Sequence, residues 1–141
     1  MADAPLPART PPRLPEAEKI TINLGYVDLG QIDLLVAEGF YSNRTDFIRT
    51  AIRNQLAAQG DAVRQVTARR MLVMGLQHVG VAELEAVRAA GEQLQIRVLG
   101  LASIAADVSP ELARATIASI QVLGALQASP AVRQALADRI G

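Results

Sequence analysis

The run Lys19-Ile20-Thr21-Ile22-Asn23-Leu24 constrains the fold of this chain more than any other stretch. Its apolar residues occupy every second position, which is the period of a β-strand with one buried face and one exposed face. No other strand-like pattern occurs before residue 71, so one copy of this segment has no nearby strand to pair with. Because an unpaired strand edge needs a partner, the pattern predicts pairing with the same strand of a second copy.

Two helical patterns follow this run. Gly39 is placed to end the first helix, since glycine is the common residue just beyond a helix C-terminus. Ser42 or Asn43 then caps the second helix, with Asp46 in its first turn. The predicted apolar face of the first helix consists of Leu29, Ile32, Leu35 and Val36, and that of the second consists of Phe47, Ile48, Ala51, Ile52 and Leu56.

The order strand, helix, tight turn and capped helix over Lys19 to Leu56 resembles the ribbon-helix-helix (CopG-like) family of bacterial DNA-binding proteins. The most specific part is 39–53, Gly-Phe-Tyr-Ser-Asn-Arg-Thr-Asp-Phe-Ile-Arg-Thr-Ala-Ile-Arg, which is similar to the turn and second helix of that family. The resemblance implies an obligate dimer, α+β in class, whose paired strands form an antiparallel ribbon that enters the major groove of DNA. The chain departs from the usual pattern in having Gly25-Tyr26-Val27-Asp28 where the family has Pro and acidic residues, and in having Gly30 inside the first helix.

The resemblance also places the DNA contacts. The outward ridge of the strand would contact base edges, because Lys, Thr and Asn side chains can hydrogen-bond to bases in the major groove. The start of the second helix would bind a phosphate through its backbone N–H groups and its dipole. The implied base contacts are Lys19, Thr21 and Asn23, and the implied phosphate contacts are Ser42, Asn43 and Arg44.

Charge limits how tightly such a module can bind DNA. The chain carries 14 basic and 14 acidic residues, and residues 18–58 contain four cations against five acids. This balance argues against indiscriminate binding to phosphate, which a strongly basic chain would favour. Affinity therefore depends on where the cations lie and on dimerisation, and we expect a single dimer to bind weakly.

The segments on either side of the module at 18–58 have different compositions. Residues 1–17 contain five of the seven prolines, which predicts a disordered N-terminal arm. Arg9 and Arg13 of this arm are candidate contacts to neighbouring phosphates, with a merely solvated leader as the simpler interpretation. Residues 59–70 have low hydrophobicity and are interpreted as a connector.

Residues 71–141 contain a repeat built on a Val-x-Gly core. Its apolar runs are 72–76, 97–101 and 121–125, and their glycines, Gly75, Gly100 and Gly124, are 25 and then 24 residues apart. Helices are predicted after each run, at about 81–92, 109–118 and 130–139, and the last two begin with Ser-Pro, a strong helix-start signal. Strands that alternate with helices at this spacing predict parallel strands joined by right-handed crossovers.

Two architectures fit the repeat: a short β/α solenoid similar in style to leucine-rich repeats, or a compact three-stranded α/β unit. The near-constant period favours the solenoid. No polar capping unit is visible at either end, so the stack is predicted to expose apolar ends that recruit another copy. Head-to-tail contacts would give a filament, and contacts between like ends would give closed dimers or tetramers. Met71 and Met74 are interpreted as core residues.

Catalytic signatures are sparse. His78 is the only histidine and there are no cysteines, which excludes a His-based metal cage, a thiolate site and a Ser-His-Asp triad within one chain. We expect His78 to be a structural or surface residue, and we predict no cofactor. The lack of cysteine fits a reducing cytosol. No hydrophobic signal core or membrane-length apolar run occurs, so we expect a cytoplasmic, nucleoid-associated protein without membrane contact.

These observations predict a non-enzymatic, sequence-specific transcriptional regulator, most simply a repressor, whose partner is double-stranded DNA. The predicted protein is a homodimer through its ribbon and a higher oligomer through the repeats at 71–141. One alternative is an assembly protein whose solenoid polymerises. Another is an antitoxin-like protein that binds an unknown partner protein through its C-terminal part.

Overall fold

The computed structural model of the protein describes residues 17–141. This part of the chain contains six helices and three strands in a mixed α/β arrangement. The elements are α1 (Tyr26–Ala37), α2 (Arg44–Ala58), α3 (Gly60–Arg69), β1 (Val73–Val79), α4 (Val81–Ala89), β2 (Leu94–Ile104), α5 (Pro110–Thr116), β3 (Ile117–Gln127) and α6 (Pro130–Ala135). None of these helices is both long and apolar enough to cross a membrane. The candidate arm contacts Arg9 and Arg13 lie outside the described residues.

The three strands form one parallel sheet in the order β1-β2-β3. Their register places Gly75 opposite Gly100 and Gly100 opposite Gly124. The predicted parallel strands are therefore confirmed, with the repeated glycines in a single row across the sheet. The solenoid stays a prediction, since a three-stranded sheet of this order is also what the compact alternative requires.

The sheet buries one face under its connecting helices. Helices α4, α5 and α6 lie side by side, with α5 in the middle. The two predicted Ser-Pro helix starts are confirmed: the Ser109 hydroxyl accepts a hydrogen bond from Leu112 N at 3.1 Å, and the Ser129 hydroxyl accepts one from Val132 N at 3.2 Å. The core between sheet and helices comprises Val79, Leu84, Ile96, Val98, Ala102, Ile104, Val108, Leu112, Ala113, Ile117, Ile120, Val132 and Leu136.

The glycine row explains how closely the strands approach each other. Gly75, Gly100 and Gly124 have φ angles of +128°, +142° and +119°, which side-chain-bearing L residues rarely adopt. A Cβ on Gly100 would lie 2.1 Å from the Gly75 carbonyl oxygen, and one on Gly124 would lie 2.0 Å from the Gly100 carbonyl oxygen. Only glycine therefore fits at the second and third positions. At Gly75 a Cβ would meet nothing within 4 Å.

The opposite face of the sheet is apolar and only partly covered. Because side chains alternate across a strand, this outer face carries Met74, Leu76, Leu99, Leu101, Leu123 and Ala125. Helix α3 borders it across a groove of about 300 Å³ lined by Val63, Val66, Leu99 and Leu123. Leu76 is 71% exposed, Met74 is 58% exposed and Met71 is 71% exposed. The prediction that the two methionines are core residues is wrong. Met74 is on the face of the edge strand β1 that α4–α6 do not cover, and Met71 lies in the turn before β1, with φ +55°.

The C-terminal tail covers the beginning of the free edge of β3. Ile120 N donates to Arg139 O at 2.8 Å, and Gly141 N donates to Ile120 O at 2.9 Å. The Arg139 guanidinium also donates to the Ile117 carbonyl at 2.7 Å. The prediction that neither end of the repeat is capped is therefore wrong at β3, because the tail supplies a short strand-like contact there. Within residues 17–141, β1 pairs with β2 alone.

The predicted connector at 59–70 is helical over Gly60–Arg69. Only Gln59, with φ −94° and ψ 6°, separates α3 from α2. Gln59 N still donates to Gln55 O at 3.1 Å, so the two helices are nearly continuous. The role of this stretch as a connector between two halves stays a prediction.

Candidate nucleic-acid interface

Residues 17–25 precede α1 and belong to neither a helix nor a strand of the single chain. The alternating apolar residues of this segment are exposed, with Ile20 73% accessible and Ile22 57% accessible. Among residues 17–141, no backbone hydrogen bond joins 19–24 to another residue. Residues 17–141 of one chain thus leave this segment without the strand partner that its pattern predicts, and the ribbon itself stays a prediction.

The apolar side of this segment adjoins an open groove between α1 and α2. Ile22 and Leu24 line the groove together with Ile32, Phe47 and Ile52, and its volume is about 410 Å³. Helix α2 buries none of its residues, and α1 buries Ile32 alone. Helices of this length depend on packing of an apolar face for their stability. The groove is therefore an apolar surface that residues 17–141 leave open to solvent.

The polar side of the segment carries the three predicted base contacts. Lys19, Thr21 and Asn23 are exposed, and none of them lines the groove. An extended chain rises about 3.3 Å per residue, so a strand over this segment would separate Lys19 and Asn23 by about 13 Å. That length matches about four base-pair steps at 3.4 Å each. The alternation would place the three side chains on the side opposite Ile22 and Leu24, and this polar ridge stays a prediction.

A tight turn joins α1 to α2 and fixes where α2 begins. Gly39 has φ +83°, and Phe40 N donates to Leu35 O at 2.9 Å, which together end α1 with the predicted glycine. The rings of Tyr41 and Phe47 meet edge to face with their centroids 5.0 Å apart. These contacts tie the turn to the first turn of α2.

The N-terminus of α2 is closed by a reciprocal capping arrangement. The Asn43 side-chain oxygen accepts a hydrogen bond from Asp46 N at 2.8 Å, and the Asp46 carboxylate accepts one from Ser42 N at 3.0 Å. Of the two predicted caps, Asn43 is the one that caps the helix. Within residues 17–141, the backbone N–H groups of Arg44 and Thr45 have no hydrogen-bond partner. They are the donors that α2 retains for an anion.

Arg44 is held by a carboxylate of α1. Its Nε donates to Asp33 Oδ1 at 2.7 Å and its Nη2 donates to Asp33 Oδ2 at 2.8 Å, a two-point ion pair. The hydrogen bond from Arg44 lowers the pKa of Asp33, and the positive charge acts in the same direction. This pair could not be predicted from the periodicity of the sequence, because Asp33 and Arg44 lie on two different helices separated by a turn. One of the predicted phosphate contacts is therefore already partly neutralised within the chain.

His78 lies on β1, where its Nδ1 is 2.6 Å from the hydroxyl of Ser103 on the neighbouring strand. Its side chain is exposed, in agreement with a structural or surface role. Across residues 17–141, no group of three or more His, Asp or Glu side chains is arranged to hold a metal ion.

A comparison with protein families matches residues 15–133 to the Ribbon-Helix-Helix transcriptional regulator family. The match includes the unpaired segment, the capped helix pair and all three strands of the parallel sheet, and the chain belongs to this family. The resemblance noted at Lys19 to Leu56 is thereby confirmed, and the family extends beyond it into the sheet. Membership implies a transcriptional regulator that binds DNA and dimerises. Neither the curated proteins nor the solved structures searched gave a match.

The Arg44–Asp33 pair leads to a prediction about salt dependence. Asp33→Asn removes one negative charge near α2 and releases the Arg44 guanidinium toward phosphate. In a dimer two such contacts would be gained, so the slope of log affinity against log salt is expected to steepen by about 2. Fluorescence anisotropy with a random-sequence duplex at several salt concentrations measures this slope.

Asp61→Asn is the matched control, since it makes the same change in charge on α3, where Asp61 pairs with Arg64. We expect it to leave the slope nearly unchanged. Equal slopes for the two variants would contradict a position of Arg44 beside the DNA backbone.

Proposed function

We propose that this protein is a sequence-specific DNA-binding repressor that dimerises through residues 19–24 and assembles further on DNA through its C-terminal sheet. The observation that carries the proposal is the alternating segment without a strand partner, placed beside a half-open apolar groove. A second copy provides both missing parts at once: its strand pairs with the segment, and its helices fill the groove.

The paired strands would present two copies of the ridge to the major groove. Asn23 can make a two-point contact with adenine, Lys19 can donate to guanine, and Thr21 can hydrogen-bond or contact a thymine methyl group. In each chain of the dimer, the backbone N–H groups of Arg44 and Thr45 would bind one DNA phosphate and so fix the orientation of the ribbon. Because the two chains are related by a two-fold axis, the preferred site should itself be two-fold symmetric.

The lack of a net positive charge on residues 18–58 makes assembly part of the proposed mechanism. Residues 18–58 carry more acids than cations, so few phosphates per dimer are neutralised. Linking dimers through the sheet makes the second binding event intramolecular and can raise the apparent affinity by two or more orders of magnitude. We expect binding to arrays of half-sites to be much tighter than binding to a single site.

Selection from a random duplex pool with the full-length protein tests the proposal. At about 150 mM salt we expect enrichment of a two-fold symmetric motif, because non-specific phosphate binding is then suppressed. The control is the full chain with Lys19, Thr21 and Asn23 all changed to alanine, which should still dimerise but select no motif. If the duplexes selected by the wild-type protein show no enriched motif, sequence-specific binding is refuted.

A further inference from the structure

We propose that β1 pairs along its free edge with β1 of a second copy, antiparallel and about a two-fold axis at Leu76. The inference deepens the assembly step of the proposed function and rests on it to that extent. It joins two sheets of three strands into one continuous sheet of six. The occupant of the edge is another copy of this chain, not a different protein.

The backbone of β1 has one unpaired side. Val79 O accepts a hydrogen bond from Ala105 N at 2.9 Å, so Val79 and every second residue before it point their backbone groups toward β2. The alternate residues Met74, Leu76 and His78 then point theirs away from the sheet. Within residues 17–141 these outward groups have no backbone hydrogen-bond partner. They form a free row of donors and acceptors that a new strand can use.

The glycine row shows that there is space for that strand. At Gly100 and Gly124 the position of a Cβ is occupied by a carbonyl oxygen of the preceding strand. The same position at Gly75 is empty to at least 4 Å, although its φ is also positive, at +128°. The first glycine thus has a positive φ like the other two but lacks, within residues 17–141, the neighbour that they have.

The free edge of β3 is less available for pairing than the free edge of β1. This difference decides which edges of two sheets can pair. On β3, Ile120 is bonded through both backbone groups to the C-terminal tail, and Leu126 O accepts a hydrogen bond from the Arg133 guanidinium. A head-to-tail assembly needs β3 of one copy to pair with β1 of the next. The C-terminal tail, which already covers part of the β3 edge, obstructs this pairing. Contact between two β1 strands needs only the free edge, so the pairing closes after two sheets.

The edge strand is also suited to pairing with itself. Residues 73–79, Val-Met-Gly-Leu-Gln-His-Val, contain no Lys, Arg, Asp, Glu or Pro, the residues that usually protect a sheet edge from self-association. An antiparallel pairing of all seven residues places Leu76 opposite its own copy. Leu76 is 71% exposed in the single chain, so this pairing removes apolar surface from water.

A single cysteine at Leu76 tests the pairing, since the natural chain contains no cysteine. Residues directly opposite in an antiparallel pair have Cα atoms about 4.5–5.5 Å apart, which a disulfide can span. We expect full-length Leu76→Cys to form a disulfide-linked dimer under mild oxidation, seen by electrophoresis without reductant. Leu123→Cys, on the same face and 42% exposed but on β3, should remain mostly uncrosslinked.

Crosslinking of Leu76→Cys no greater than that of Leu123→Cys would overturn the pairing. A second variant, Leu76→Lys, places like charges across the axis and should reduce the mass measured by light scattering to that of the ribbon dimer. An unchanged larger mass would also overturn the pairing of the two β1 strands.

The same preparations are used in the duplex selection. Motif selection without crosslinking refutes the edge pairing alone, whereas crosslinking without motif selection refutes the DNA-binding proposal alone.

Discussion

Replacing Gly100 by alanine is expected to destabilise the sheet by about 2–6 kcal/mol, a large part of the free energy of unfolding of a typical domain. Two causes add. The φ angle of +142° is strained for alanine, at about 1–3 kcal/mol. The new Cβ would also lie 2.1 Å from the Gly75 carbonyl oxygen, and forcing the strands apart costs about 1–3 kcal/mol more. Urea unfolding of the full-length variant, followed by circular dichroism, measures the loss.

Gly75→Ala is the control that separates the two causes. Its φ of +128° imposes a similar backbone strain, but within one chain the added Cβ meets open space. Both glycine variants are compared in the Leu76→Lys background, in which the proposed pairing of two β1 strands is blocked and no second copy crowds the new Cβ. We therefore expect a smaller loss, about 1–3 kcal/mol, from strain alone. If Gly75→Ala destabilises as much as Gly100→Ala, close approach of the strands is not the reason for glycine at position 100.

Replacing Asn23 by alanine is expected to abolish the preference for the selected DNA site while the dimer persists. A two-point contact to a base contributes about 1–3 kcal/mol of discrimination, and a dimer would make two of them. The expected loss is thus about 2–6 kcal/mol, at least about 30-fold in affinity for the site. Competition anisotropy between the selected duplex and a random duplex measures this preference directly.

Asn54→Ala makes the same chemical change at an exposed position of α2, away from the ridge. It should retain the full preference for the selected site. Binding to random duplex should be similar for both variants, because Asn23 is not a phosphate contact. An unchanged site preference in Asn23→Ala would show that the ridge does not contact bases.

The features that could be predicted from sequence are those fixed by local chemistry. The cap of α2 follows from Asn43 and Asp46 at three-residue spacing, and the helix starts after β2 and β3 follow from Ser-Pro pairs. The parallel sheet follows from the recurring apolar runs that contain a glycine, because the interval between successive runs is long enough to hold a crossover helix. In each case neighbouring residues determine the conformation, so one sequence suffices.

The features that could not be predicted depend on tertiary placement. Met74 is an apolar residue of a kind that is common in protein cores. Its burial, however, is decided by which face of the sheet the helices cover and by which strand is at the edge. The Arg44–Asp33 pair depends on the angle between two helices, and the tail on β3 depends on where the chain returns after α6. Helix α5 is also shorter than predicted, because β3 begins at Ile117 and carries β-branched residues that favour the sheet.

Hydrogen exchange of the backbone amides in residues 20–24 tests the dimeric ribbon most directly. Within residues 17–141 the chain offers these amides no backbone hydrogen-bond acceptor, so protection that is lost on dilution must come from a second chain. We predict slow exchange at every second amide of this segment, those that face the partner strand, at micromolar concentrations, and faster exchange on dilution, as the dimer dissociates. Exchange at the rate of an unstructured peptide at every concentration, with α2 still protected, would contradict strand pairing between chains.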